Sequence, residues 1–192
     1  QFSEVVFNGK VAARRPSPTV SQMVIAVAML LLPVVLLYAW FSRIPEPQVT
    51  AVAWQPVAAQ AKAEAPYPVA VPRSLPDDWT AVRARWTPLG QPGLDQKPAI
   101  GNTFQLGFLN ADRIYVGLDQ RDIDGPGLIR TASRDGDEDG ESVLANVPWQ
   151  RYSSRDGRTR ALVRADGSST LVISGDLPYQ ALEAFATTLT QA

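Results

Sequence analysis

The chain has 192 residues, with 18 Lys and Arg against 19 Asp and Glu, a formal net charge of −1, and neither cysteine nor histidine. Those absences exclude zinc and haem sites of the usual ligand sets, disulfides, thiol chemistry and serine triads that need an imidazole base. Beyond residue 78 lysine is reduced to Lys97, in a Gln96-Lys97-Pro98 loop beside no serine, which leaves paired carboxylates as the route to acid–base catalysis.

Residues 1–19 read as a basic arm, with Lys10, Arg14 and Arg15 against Glu4. Gln1 stands where an initiator Met would, so residues are expected to precede it in the gene product. Residues 23–41 (MVIAVAMLLLPVVLLYAWF) form one apolar run. At ~1.5 Å per residue it reaches roughly 28 Å, close to the ~30 Å hydrocarbon core of a bilayer. A transmembrane helix is therefore expected over residues 20–42.

The basic arm precedes the span, whereas Arg43 after it is soon offset by Glu46, so the N-terminus is expected in the cytoplasm and the rest outside. A cleavable signal peptide is the rival reading. Its apolar region would be only about 7–15 residues long with a small-x-small site close behind, whereas the nearest such triplet here is Ala59-Gln60-Ala61. Tyr38, Trp40 and Phe41 make an interfacial aromatic belt. Pro33, in mid-span, is either an ordinary tolerated proline or a kink fitted to a neighbouring helix. The run carries no charge and no small-xxx-small pair that would enforce self-dimerisation.

Residues 43–78 turn to Pro and Ala, with Pro45, Pro47, Pro56, Pro66, Pro68, Pro72 and Pro76, and read as a semi-rigid tether. A short helix fits at residues 57–65 (VAAQAKAEA), too short to be stable without a surface to lie on.

Residues 79–192 are expected to form an α+β domain: a mainly antiparallel sheet with two helices packed on it. The period-two pattern of 79–87 (WTAVRARWT) predicts a strand, with Arg83 and Arg85 on the opposite side from Val82, Ala84 and Trp86. Residues 103–109 and 113–120 predict a hairpin about Asn110-Ala111-Asp112. A helix is expected near 127–134, and a strand interrupted at Pro148 over 143–153. Asp156-Gly157 and Asp166-Gly167 turn the chain into strands at 160–165 and 170–174. A closing helix follows, capped by Asp176, with Pro178 in its first turn and Tyr179, Leu182, Phe185, Ala186 and Leu189 on one face. The order turn, strand, Asp, helix occurs at 110–133 and again at 166–190, either a two-fold repeat or a coincidence of common units.

Three clusters invite a chemical reading. Asp135, Asp137 and Asp139 with Gly140 imitate the start of a calcium loop, but position 12 is Asn146 rather than Glu, so a solvated acidic loop is preferred and no metal or other cofactor is expected. Asp119, Asp122 and Asp124 are clustered carboxylates adjoining a turn, too little to predict an enzyme. Residues 151–160 (RYSSRDGRTR) with Arg164 concentrate arginine. Since the domain holds more acidic than basic side chains, a solvated hairpin is preferred, docking on an acidic protein surface comes second, and nucleic acid is not expected.

The layout of a basic arm, one span, an Ala/Pro stretch, then APYPVAVPRSLPDDWTAVRARW at 65–86, IYVGLDQ at 114–120, VPWQRY at 147–152 and TLVISGD at 170–176 resembles an actinobacterial single-span membrane family, domain of unknown function 4245. The similarity runs from Leu30 to the C-terminus, and its motifs are structural, so it transfers no catalytic residue. It implies an actinobacterial envelope protein with its domain outside the cytoplasmic membrane. The leading expectation is a non-catalytic accessory subunit docked on a larger membrane complex. The actinobacterial respiratory supercomplex, cytochrome bcc joined to an aa3 oxidase, is the first host to consider, because such assemblies carry small single-span subunits. The alternative is a tethered small-ligand binding or sensing domain, with Trp79, Trp86, Tyr115, Trp149 and Tyr152 lining its pocket.

Overall fold

The computed structural model describes residues 20–41 and 50–191, so the expected cytoplasmic arm, Arg43 and the first prolines of the tether lie outside the described residues. The chain divides into two compact units, residues 1–48 and 49–192. In the first, α1 (Val20–Phe41) is a helix of 22 residues, Pro33 included, none of them buried. It is long and apolar enough to cross a membrane.

The second unit contains α2 (Gln55–Glu64), β1 (Ala70–Pro72), β2 (Thr80–Thr87), β3 (Thr103–Leu109), β4 (Tyr115–Arg121), α3 (Gly125–Ala132), β5 (Asp137–Leu144), β6 (Val147–Ser153), β7 (Arg160–Ala165), β8 (Thr170–Gly175), α4 (Tyr179–Thr187) and β9 (Leu189–Gln191). Seven strands form one antiparallel sheet in the order β2-β3-β4-β8-β7-β6-β5, and β1 pairs with β9 in a separate ribbon. The expected antiparallel sheet with helices packed on it is what the chain forms.

Side-chain alternation gives the sheet two different faces. On one, Phe104, Leu106, Phe108, Val116, Leu118, Leu162, Leu171 and Ile173 are buried in a single apolar cluster with Leu182 and Phe185 of α4. Trp79 stacks on Phe185 at 5.2 Å, and Phe108 meets the same ring edge-on at 5.7 Å. The Pro/Ala stretch belongs to this core as well. Ala58 and Ala61 of α2, then Tyr67, Val69, Ala70 and Val71, are buried in it. Hence residues 50–78, expected as part of a tether, are part of the globular unit, and the short helix has the surface it required. The Trp86 indole N–H donates to Glu64 at 2.7 Å and anchors the end of α2 to β2.

The other face is only partly covered. Leu128 of α3 packs on Ala161, Val163 and Val172, with Ile129, Ala132 and Tyr152 around them. The order strand, Asp, helix does recur in β4-Asp124-α3 and β8-Asp176-α4, but α3 and α4 lie on opposite faces, so no rotation about the sheet normal exchanges the halves.

Two local expectations are corrected. Residues 143–153 are not one strand but the end of β5 and the whole of β6, joined at Ala145-Asn146, both with positive φ (48° and 65°), as a two-residue hairpin turn requires. Pro148 precedes Gln150, where pairing of β6 with β7 begins, so its missing N–H leaves that ladder intact. The closing helix is not capped by Asp176. Its N-cap is Pro178, while Asp176 accepts the Thr159 hydroxyl at 2.6 Å and lies 3.6 Å from the Arg158 guanidinium.

Candidate functional site

Where α3 stops covering the sheet, a solvent-open trough of about 770 Å³ remains above β2, β3, β4 and β8. Its floor is polar. Arg83 from β2, Gln105 from β3 and Asp119 from β4 point to this face because their strand neighbours point into the apolar core. Asp119 Oδ1 accepts from Arg83 Nη2 at 2.8 Å and from Gln105 Nε2 at 2.8 Å. Burial pushes the Asp119 carboxyl above its ordinary range, and Arg83 and the Gln105 hydrogen bond pull the other way. The Arg83 Nε is buried and has no hydrogen-bond partner among the described residues.

Tyr115 lies against Gly107 on the neighbouring strand β3, which has no room for a Cβ under the ring, and close to Gly117 two residues along its own strand. The Arg83 guanidinium sits 5.7 Å from the Tyr115 ring centroid. Burial raises the Tyr115 phenol, Arg83 lowers it, and Asp119 raises it. Ile114, Leu128 and Ala132 give the trough apolar walls, while Arg134 and Arg158 stand on its margin.

The residues singled out in the sequence are dispersed. Of the three clustered carboxylates, Asp119 alone reaches the trough. Asp122 accepts the backbone N–H and side-chain amide of Asn102, at 2.9 and 2.7 Å, and Asp124 caps α3 through the Gly127 N–H at 3.0 Å. Asp137 and Asp139 belong to β5, which carries a bulge between Glu138 and Glu141, rather than to a ligating loop, and Asp139 accepts the Tyr179 hydroxyl at 2.8 Å. Among the described residues no three such side chains are grouped to hold a metal ion.

The five aromatics do not share a pocket. Trp79, Trp86 and Trp149 belong to the apolar core, Tyr115 to the trough, and Tyr152 to a hollow of about 410 Å³ with Ile129, Arg130 and Arg155. The arginine hairpin is largely occupied within the domain. Arg151 pairs with Glu183 at 2.6 Å and lies 4.7 Å from the Tyr179 ring, Arg160 approaches the same ring, and Arg164 lies over Trp149. Arg158 is the member that reaches the trough. Nothing in the local sequence marks Arg134 for this site, whereas the Gln inside TFQLGFL, Gln105, is the one signal of a strand whose second face is polar.

No curated protein matches the chain. A family model does, over residues 15–189: the chain belongs to the family described as protein of unknown function (DUF4245).

Proposed function

We propose that this chain is a non-catalytic, single-pass membrane accessory subunit, with α1 in the bilayer, its N-terminus in the cytoplasm, and the globular unit outside docking on a larger membrane assembly. The observation that carries the reading is the trough: a partly uncovered sheet face with a prearranged, arginine-bearing floor and apolar walls. The Asp119 carboxylate in it is already engaged by two donors, so the floor is built to hold groups in place rather than to transfer protons. The resemblance noted in the sequence makes an actinobacterial cytochrome bcc–aa3 supercomplex the first host to test.

The experiment is photo-cross-linking from position 94, where Leu94 lines the trough, in native membranes, with native gels and mass-spectrometric identification. Capture of one membrane assembly and comigration with it are expected. Migration near the chain's own 20.8 kDa plus a detergent micelle, with no cross-link, refutes the reading.

A second reading, a tethered binding domain for a small ligand, draws on the trough's volume, which lies within the roughly 300–1,000 Å³ range of small-molecule sites. It predicts a dialysable ligand that is released when the purified protein is unfolded.

A further inference from the structure

Within the docking reading, on which this inference rests, the chemistry of the trough also defines its occupant. We infer that the partner presents an extended acidic polypeptide segment, its carboxylates meeting Arg134 and Arg158 at the margin and Arg83 at the floor, its apolar side chains meeting Ile114, Leu128 and Tyr115. Four arginines line the trough against two aspartates. Both aspartates are already engaged, Asp119 by Arg83 and Gln105, and Asp176 by Thr159 and Arg158. Arg134 is exposed and makes no direct ion pair among the described residues, although the Asp156 carboxylate lies near enough to interact with both it and Arg158. The buried Nε of Arg83 is a donor with no acceptor among the described residues.

This local excess of positive charge stands out in a chain whose net charge is −1. Guanidinium forks match carboxylates in geometry as well as sign. A segment is favoured over a flat lipid surface because Arg83, with its side chain 30% exposed, lies on the floor of a concavity that a planar headgroup layer touches only at its margin. The apolar walls favour a chain with alternating acidic and apolar side chains over a bare inorganic anion.

The test uses the full chain in nanodiscs of zwitterionic lipid and a fluorescein-labelled peptide of alternating Glu and Leu. A Lys/Leu peptide, inorganic phosphate and vesicles containing anionic lipid serve as comparison probes. Saturable binding of the Glu/Leu peptide is expected, weakened by salt and reduced about tenfold or more by Arg134→Ser with Arg158→Ser. Both substituted residues are on the surface, and unchanged tryptophan fluorescence establishes that the fold is kept. Arg83→Gln should weaken the same binding further.

Equal affinity in wild type and double variant overturns the inference, as does binding of the Lys/Leu peptide. Displacement of the peptide by phosphate alone, preferential binding to anionic vesicles, or occupation of the trough by a second copy of the chain also overturns it. Capture of a membrane partner from position 94 that is indifferent to the arginine substitutions overturns this inference while leaving the docking reading intact.

Discussion

Gln120→Leu tests how the proline-rich stretch is held in the core. Gln120 is fully buried in β4, and its amide ties down the incoming chain at both of its polar atoms. Its Oε1 accepts the Ala70 N–H at 2.9 Å, and its Nε2 donates to the Pro68 carbonyl at 2.8 Å and to the Ser169 hydroxyl at 2.9 Å. Leucine has a similar size but leaves the Ala70 N–H and the Pro68 carbonyl buried without partners. Each orphaned group costs about 1–3 kcal/mol, and burying a leucine in place of an amide returns about 1–2 kcal/mol. Two such groups cost about 2–6 kcal/mol, so at the middle of both ranges a net loss of about 2.5 kcal/mol follows. Ala70 pairs with Gln191 in the β1–β9 ribbon, so that ribbon should open first. Urea unfolding of the full chain in mild detergent, followed by tryptophan fluorescence, gives the stability change, and hydrogen exchange at Ala70 gives its location. A loss below about 0.5 kcal/mol with unchanged exchange at Ala70 would refute the reasoning, because hydrogen bonds this deeply buried cannot be replaced by water.

Three further outcomes are expected. Gly107→Ala places a methyl group under the Tyr115 ring and should cost about 1–3 kcal/mol; if the crowding argument holds, most of that cost disappears in a Tyr115→Ala background. The Ser142 hydroxyl and then the Arg151 guanidinium hold the Glu183 carboxyl below its ordinary 4.5. Because the folded value is depressed, its stabilisation is present above about pH 4.5 and is lost as pH falls through the folded value. Glu183→Gln should therefore be less stable by about 1 kcal/mol near neutrality and equal to wild type once the carboxyl is protonated, read from stability curves between about pH 3 and 7. Leu31→Arg, at the centre of α1, should cost roughly 2.5–3.5 kcal/mol of insertion free energy; an undiminished membrane fraction after carbonate extraction would count against α1 as a span.

The hairpins were legible because their turns are written in local chemistry: Asn110-Ala111-Asp112, Asp156-Gly157 and Asp166-Gly167 each fall between runs of period two. The β5–β6 hairpin was not, because Ala145-Asn146 takes the left-handed conformation without a glycine and the acidic residues of β5 have low strand propensity. Those charges suit an edge strand, where they discourage pairing with another sheet. The proline-rich stretch read as a tether because composition reports local stiffness, whereas its place in the core depends on Gln120 and on Trp86, which holds Glu64, both outside the stretch and distant in sequence. The trough was invisible for the same reason: its arginines come from β2, the β3–β4 turn, the segment after α3 and the β6–β7 turn, and only the sheet order brings them together.

The pair formed by Arg83 and Asp119 decides whether the trough floor exists for stability or for recognition. A partly buried ion pair is weak support for a fold, since replacing both partners by apolar groups is often neutral or stabilising, whereas removing one partner leaves a buried charge and costs about 3–5 kcal/mol. Asp119→Leu alone should therefore be strongly destabilising. Arg83→Met combined with Asp119→Leu should leave stability within about 1 kcal/mol of wild type, because Gln105 can turn its amide toward the open trough, where water can solvate it. If the floor serves recognition, that stable double variant should nonetheless lose the partner captured by cross-linking from position 94. A double variant as unstable as the single one would show that the pair holds β2 to β4, and the trough would then be a by-product of packing. A double variant that is stable and still captures the partner would move the docking surface elsewhere on the domain.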